Sequence, residues 1–126
     1  MSKVLLVDDS AVMRKIIQRH IKETGFHVDE FVEAGDGKQA LDKVTDNDNI
    51  DLIMLDWNMP NMSGIEFVRE LRSLDIQNRI PVVIVTTEGR EDKINEAKES
   101  GADGYLTKPF TAEQLRDTLA SYLLIT

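Results

Sequence analysis

The chain has 126 residues, enough for one domain whose core needs no disulfide or metal staple. It contains no cysteine, which rules out disulfides and thiolate metal sites and fits a reducing compartment. Acids outnumber Lys and Arg by 23 to 15, for a formal net charge of −8. Such a surface repels phosphate backbones, which argues against nucleic acid as a partner and in favour of proteins. No basic and apolar leader precedes the first strand, and no apolar run approaches membrane-spanning length. A cytoplasmic protein without membrane contact is therefore expected.

In chain order, Lys3-Val-Leu-Leu-Val7 is a continuous apolar strand that stops on Asp8 and Asp9. Val12, Met13, Ile16, Ile17, His20 and Ile21 then recur as one helical stripe, closed by Gly25. Val28-Asp-Glu-Phe-Val-Glu33 is mixed and acidic, as suits an edge strand. A helix near 38–45 carries fewer apolar positions, and Asp46-Asn-Asp-Asn-Ile-Asp51 reads as a solvated loop. Asp51-Leu-Ile-Met-Leu-Asp56 is a third strand, again stopping on an acid and followed by Trp57-Asn-Met-Pro60. Ser63-Gly-Ile-Glu66 spells a capping box ahead of the stripe Ile65, Val68, Leu71 and Leu74. Val82-Val-Ile-Val85 is a fourth strand ending on the hydroxyl of Thr86, and a helix over 91–100 follows. Gly104-Tyr-Leu-Thr107 is a short fifth strand before Lys108 and Pro109. A second capping box, Thr111-Ala-Glu-Gln114, opens a helix with Leu115, Leu119, Tyr122 and Leu123 on its stripe.

Continuous apolar runs mark strands buried on both faces, the habit of parallel sheets. Five strand–helix alternations call for a doubly wound α/β sandwich. With the second and fifth strands at the edges, the expected architecture is a flavodoxin-like (βα)5 fold with a parallel sheet ordered 2-1-3-4-5. That order is a known one for doubly wound sheets. A single domain over 1–126 is expected, with no output domain.

In such sheets ligands bind at the carboxyl ends of strands, where the strand order reverses. Asp8, Asp9 and Asp56 converge there on this reading, and three adjacent carboxylates are relieved most simply by a cation. An all-oxygen donor set of few protein ligands suits Mg²⁺, with Mn²⁺ as a substitute. A carboxylate can itself attack phosphorus, with Lys108 adding positive charge and Thr86 donating to a phosphoryl oxygen.

Each residue alone also has an ordinary explanation: Asp8 and Asp9 as helix caps, Asp56 as a turn acid, Thr86 as a strand former, Lys108 as a solvated charge. The joint pattern outweighs these, because separate strand ends would have to present matching groups by accident. Trp57 is balanced between lip and core. His20 reads as packing, His27 attracts no site, and the acids at 42–51 lack the glycine and terminal glutamate of a calcium loop.

Asp8-Asp9, Asp56, Thr86 and Lys108-Pro109, with the wider text Val85-Thr-Thr-Glu88 and Gly104-Tyr-Leu-Thr-Lys-Pro-Phe110, resemble response-regulator receiver domains of the single-domain chemotaxis type. The resemblance spans essentially the whole chain. It implies that Asp56 is the phosphoacceptor, and that Asp9, Asp56 and the backbone carbonyl of Asn58 hold Mg²⁺, with Asp8 acting largely through water. Lys108 and Thr86 would stabilise the phosphoryl group, Tyr105 would follow Thr86 as an aromatic switch, and the Lys108–Pro109 peptide would be cis. Implied partners are a histidine kinase as donor, the flagellar motor switch protein or another protein target, and an assisting phosphatase, with the chain monomeric. The family usually has alanine or glycine after the switch threonine. Thr87 departs from that, and together with Asn58 and Glu88 it would tune dephosphorylation.

Three rival functions compete with this reading. A Mg²⁺-dependent phosphatase or mutase carries a second acid two residues after its nucleophile, where this chain has Asn58. An FMN carrier needs a hydroxyl- and glycine-rich loop where Asp8 and Asp9 stand. A stand-alone phosphorelay intermediate, passing phosphate to another histidine, is separated poorly by sequence.

Overall fold

The computed structural model describes residues 3–46, 49–57, 59–74, 79–87 and 89–123. Among these, strands β1 (Lys3–Val7), β2 (Glu30–Ala34), β3 (Leu52–Leu55), β4 (Val82–Thr86) and β5 (Gly104–Thr107) alternate with helices α1 (Ala11–Glu23), α2 (Gly37–Asp46), α3 (Gly64–Ser73), α4 (Glu91–Glu99) and α5 (Ala112–Leu119). All four strand pairings are parallel and the sheet order is β2-β1-β3-β4-β5, as expected.

The two-residue period of the strands divides the core. Leu5, Val7, Ile53, Leu55, Val82 and Ile84 face one side, where Ala40 and Val44 of α2, Phe67, Val68 and Leu71 of α3, and Ala97 of α4 cover them. Val4, Leu6, Leu52, Met54, Val83 and Val85 face the other, against Ile17 and Ile21 of α1 and Leu115 and Leu119 of α5. Three strands are thus apolar on both faces because both faces are roofed. Each fully buried Leu, Ile or Phe contributes roughly 1.5–3 kcal/mol of burial.

Both capping boxes form. Ser63 accepts from the Glu66 N–H, Thr111 accepts from the Gln114 N–H, and each partner side chain bonds back. Ser10 caps α1 by accepting from the Met13 N–H.

Several expectations need correction. Val12, placed on the buried stripe of α1, is 70% exposed. Met13, the next residue, packs on the core with Ile17 and Ile21, so Val12 stands off the buried face of the helix. Leu74 is 36% exposed as the extended C-cap of α3 rather than part of its stripe. Tyr122 and Leu123 lie beyond the end of α5, yet still pack on the cluster it covers. The second strand runs to Ala34, which pairs with Val7, and starts at Glu30 rather than Val28. Met59 and Met62, in the turn after Asp56, are partly buried against the first cluster. Of the acidic stretch, Asp46 ends α2, Ile50 is buried, and Asp51 accepts from the Lys3 N–H at 2.9 Å.

Candidate metal and phosphoryl site

Parallel pairing brings the ends of β1 and β3 level. Val7 pairs with Leu55, and the Asp56 N–H donates to the Val7 carbonyl at 2.9 Å. Asp8 and Asp56 therefore leave the sheet side by side in the crevice where the strand order reverses. Carboxylate oxygens of Asp8, Asp9 and Asp56 lie within 4.8 Å of one another, with Asp8 buried, Asp56 half-buried and Asp9 exposed.

Their orientations are set locally. Asp8 Oδ1 accepts from the Ser10 N–H at 2.9 Å, the first residue to turn into α1. Asp56 Oδ1 accepts from the Trp57 N–H at 2.9 Å. Arg14, one turn into α1, donates to the Asp8 carbonyl and to Glu33 Oε1 at 3.0 Å, pinning this corner to the edge strand. Sequence reading assigned Arg14 no role. Its only signal was a position one turn after Ser10.

On the far side, Lys108 follows β5 and places Nζ 3.6 Å from Asp8 Oδ2. The Lys108 N–H donates to the Thr86 carbonyl at 2.7 Å, and the Lys108–Pro109 peptide is cis. Thr86 closes β4 at 1% exposure, opposite Thr107 of β5, and Thr87 beyond it is exposed. Tyr105 of β5 is partly buried and meets Trp57 edge-on, ring centroids 6.3 Å apart. Trp57 is itself half-buried against the core beneath the Lys93 ammonium, 5.9 Å from the ring centre, and so belongs to both lip and core. Asn58 and Glu88 lie outside the described residues. The described candidate residues thus gather on one edge of the sheet, with Tyr105 one step back along it.

The electrostatics are unbalanced. Burial, then the charge of Asp8, pushes the Asp56 carboxyl up from 3.8 to about 6; Asp9 adds to the rise, while Lys108 and the Trp57 N–H oppose it. Burial likewise raises Asp8, with Asp9 adding and the Ser10 N–H and Lys108 opposing. One ammonium does not neutralise three acids. All-oxygen donors and excess negative charge fit a hard divalent cation, Mg²⁺ or Mn²⁺, better than a soft metal.

The family model of the response regulator receiver domain matches residues 4–120. The chain belongs to the response regulator receiver family. As a receiver domain it is 40% identical over 117 residues to the chemotaxis protein CheY of Pseudomonas aeruginosa, covering 93% of this chain and 92% of that one. The solved structure of CheY4 from Vibrio cholerae is 39% identical, with a TM-score of 0.83 over 98% of this chain and 99% of that one. A CheX–CheY–BeF3–Mg²⁺ complex from Borrelia burgdorferi contains a further likeness, 26% identical with a TM-score of 0.82, covering 95% of this chain and 87% of that one. This receiver domain is CheY-like, and is a phosphoacceptor rather than a conventional enzyme. No helix among its described residues is long and apolar enough to cross a membrane.

Proposed function

We propose that the chain is a chemotaxis signalling switch that accepts a phosphoryl group on Asp56 from a phosphohistidine of a partner kinase. The observation that carries this reading is the convergence of Asp8, Asp9 and Asp56 within 4.8 Å, beside Lys108, at the carboxyl edge of the sheet. A carboxylate oxygen of Asp56 bonds to phosphorus as the donor's P–N bond breaks, and the imidazole leaves with the bonding pair and takes up a proton. Asp9 and Asp56 would hold Mg²⁺ directly, with Asp8 acting through water; the carbonyl of Asn58, a further ligand by family resemblance, lies outside the described residues. Mg²⁺ in that place supplies charge neutralisation between the acids and the phosphoryl oxygens. Lys108 adds a second positive charge, and Thr86 is suited to donate its hydroxyl to a phosphoryl oxygen.

The signal would be a two-state shift in which Thr86 moves toward the phosphoryl group and Tyr105 turns inward, remodelling the surface of α4, β5 and α5. Its target would be the flagellar motor switch. A phosphatase is a further partner, and the CheX complex of the Borrelia relative supports a protein docking on this kind of domain. On this reading the receiver domain acts as a monomer and signals through its own surface. A relay intermediate is the second reading, because the same acids beside Lys108 would serve onward transfer of the phosphoryl group to another histidine equally well.

Intact-mass measurement after mixing with Mg²⁺ and an acyl phosphate tests the chemistry. Wild type is expected to gain one phosphoryl group and Asp56→Asn none; a gain in both would place the acceptor elsewhere. In the same time course Thr87→Ala is expected to lose its phosphoryl group a few-fold faster, because the exposed Thr87 side chain crowds the approach of water. Equal decay in the two proteins would remove that role for Thr87.

A further inference from the structure

Asp36 stands between β2 and α2, well outside the acidic cluster, and both of its carboxylate oxygens are committed. Oδ1 accepts from the Gln39 N–H at 2.8 Å, an ordinary N-cap bond for α2. Oδ2 accepts from Asn61 Nδ2 at 2.8 Å, across 25 residues of sequence. A helix cap needs only the first. Asn61 lies in the turn after Asp56 and has φ of 68°, the left-handed region that Asn tolerates better than most residues.

The next residue on each side repeats the link. A Cβ built on Gly37 would come within 2.8 Å of Cβ, Cγ and Sδ of Met62, so these two residues are in close packing. Beyond Met62 the turn closes on the acceptor: the Gly64 N–H donates to the Trp57 carbonyl at 2.9 Å, and the Trp57 N–H donates to Asp56 Oδ1 at 2.9 Å. A Cβ on Gly64 would also lie 2.6 Å from the Asp56 carbonyl oxygen, so the start of α3 rests against the acceptor's own peptide.

We propose that Asp36 and Asn61, backed by the packing of Gly37 on Met62, form a clasp that positions the turn carrying Trp57 and thereby sets the Asp56 carboxylate for Mg²⁺ and for phosphoryl transfer. Asp36 and Asn61 are positioning residues, acting through the Gly64–Trp57–Asp56 bonds, and the inference rests on the assignment of Asp56 as acceptor. Supports of this kind typically shift metal affinity 10-fold or more when removed.

The experiment is Mg²⁺ titration followed by Trp57 fluorescence, with phosphorylation by acyl phosphate and amide hydrogen exchange of the turn alongside. Asp36→Ala and Asn61→Gly are each expected to weaken Mg²⁺ binding about 10-fold and to speed exchange at Trp57 and Gly64. Asn61→Gly keeps the positive φ at no steric cost, so it separates loss of the bond from misfolding. The double variant is expected to bind Mg²⁺ no worse than Asp36→Ala, which already lacks the bond to Asn61. Asp36→Asn should recover most of the affinity, because Asn61 can rotate its amide and offer an oxygen instead. Single variants that bind Mg²⁺ and take up phosphate like wild type would overturn the clasp alone. A wild type that neither binds Mg²⁺ nor gains a phosphoryl group would overturn the acceptor assignment and the clasp with it.

Discussion

Replacing Asp56 should make the metal-free protein more stable at neutral pH: Asp56→Asn is expected to gain about 1–2 kcal/mol at pH 7.5. The Asp56 carboxyl is raised from 3.8 to about 6 by burial and by Asp8. The folded state therefore holds this proton more tightly than the unfolded chain does. Below about pH 3.8 both states are protonated and the site costs nothing. As pH climbs toward 6 the folded state must ionise a group that its surroundings disfavour, and above 6 the penalty is complete. A rise of about two pH units corresponds to about 3 kcal/mol, and solvent screening of a half-exposed carboxylate lowers that to about 1–2. Asparagine keeps an oxygen for the Trp57 N–H, so the local bond survives while the charge is lost.

Thermal unfolding across pH checks the sign. The melting temperature of Asp56→Asn should exceed that of wild type by a few degrees at pH 7.5, and the two should converge below pH 4. Added Mg²⁺ should then reverse the order, because an ion that binds only the folded state stabilises the protein having all three acids. An asparagine variant that is less stable at pH 7.5 without metal would mean that Lys108 and the backbone donor already balance the site. The stability lost to these acids is thus the structural counterpart of their readiness for a cation.

How much of this was legible beforehand depended on range. Residues 4–7, 52–55 and 82–85 announced interior parallel strands because burial on both faces leaves no polar position in the run. The two capping boxes were legible because all their bonds lie within four residues. Asp8, Asp56 and Lys108 could be brought to one edge because each follows a strand, and parallel strands share a carboxyl end. Helix faces were read less well. Val12 shares a helical spacing with Ile16, but period alone cannot say that the face of Met13, Ile17 and Ile21 is the one turned to the sheet. Tyr122 and Leu123 kept the helical spacing of Leu115 and Leu119 while leaving the helix, since a turn can bury the same side chains. Least visible were bonds between distant loops. Asp36 and Asn61 are hydrogen-bonded across 25 residues, yet nothing in either segment names the other as its partner.

The largest loss of stability is expected from Arg72→Ala, at the opposite edge of the sheet from the acids. From α3 the guanidinium reaches the Ile80 carbonyl at 2.8 Å through Nη1 and the Gly101 carbonyl at 3.1 and 2.9 Å through Nε and Nη2. Nη2 also meets Asp103 Oδ2 at 3.0 Å, and that same oxygen accepts from the Val82 N–H at 2.8 Å. One planar group thus ties α3 to the segments entering β4 and β5. Its side chain is only 20% exposed. Burial, reinforced by nearby Arg79 and opposed by Asp103, pushes its pKa below the ordinary guanidinium value, the mark of a cation held out of water.

Alanine removes four donor contacts at once: the Ile80 carbonyl loses its Arg72 bond, while the Gly101 carbonyl and Asp103 keep only Arg79 and the Val82 N–H. At about 1–1.5 kcal/mol for each such bond, part of it recovered by water, the cost should be about 3 kcal/mol. For a domain of this size that lowers the melting temperature by roughly 10 °C. Arg72→Lys should recover little, since an ammonium cannot present a rigid fork to three oxygens. Denaturant unfolding of the three proteins checks both magnitudes. Because the network lies at the amino ends of β4 and β5, the folded Arg72→Ala protein should still bind Mg²⁺ at wild-type affinity at low temperature. Reduced affinity there would mean that the two edges of the sheet are mechanically coupled, with strain at the entry of β4 reaching Thr86 at its exit.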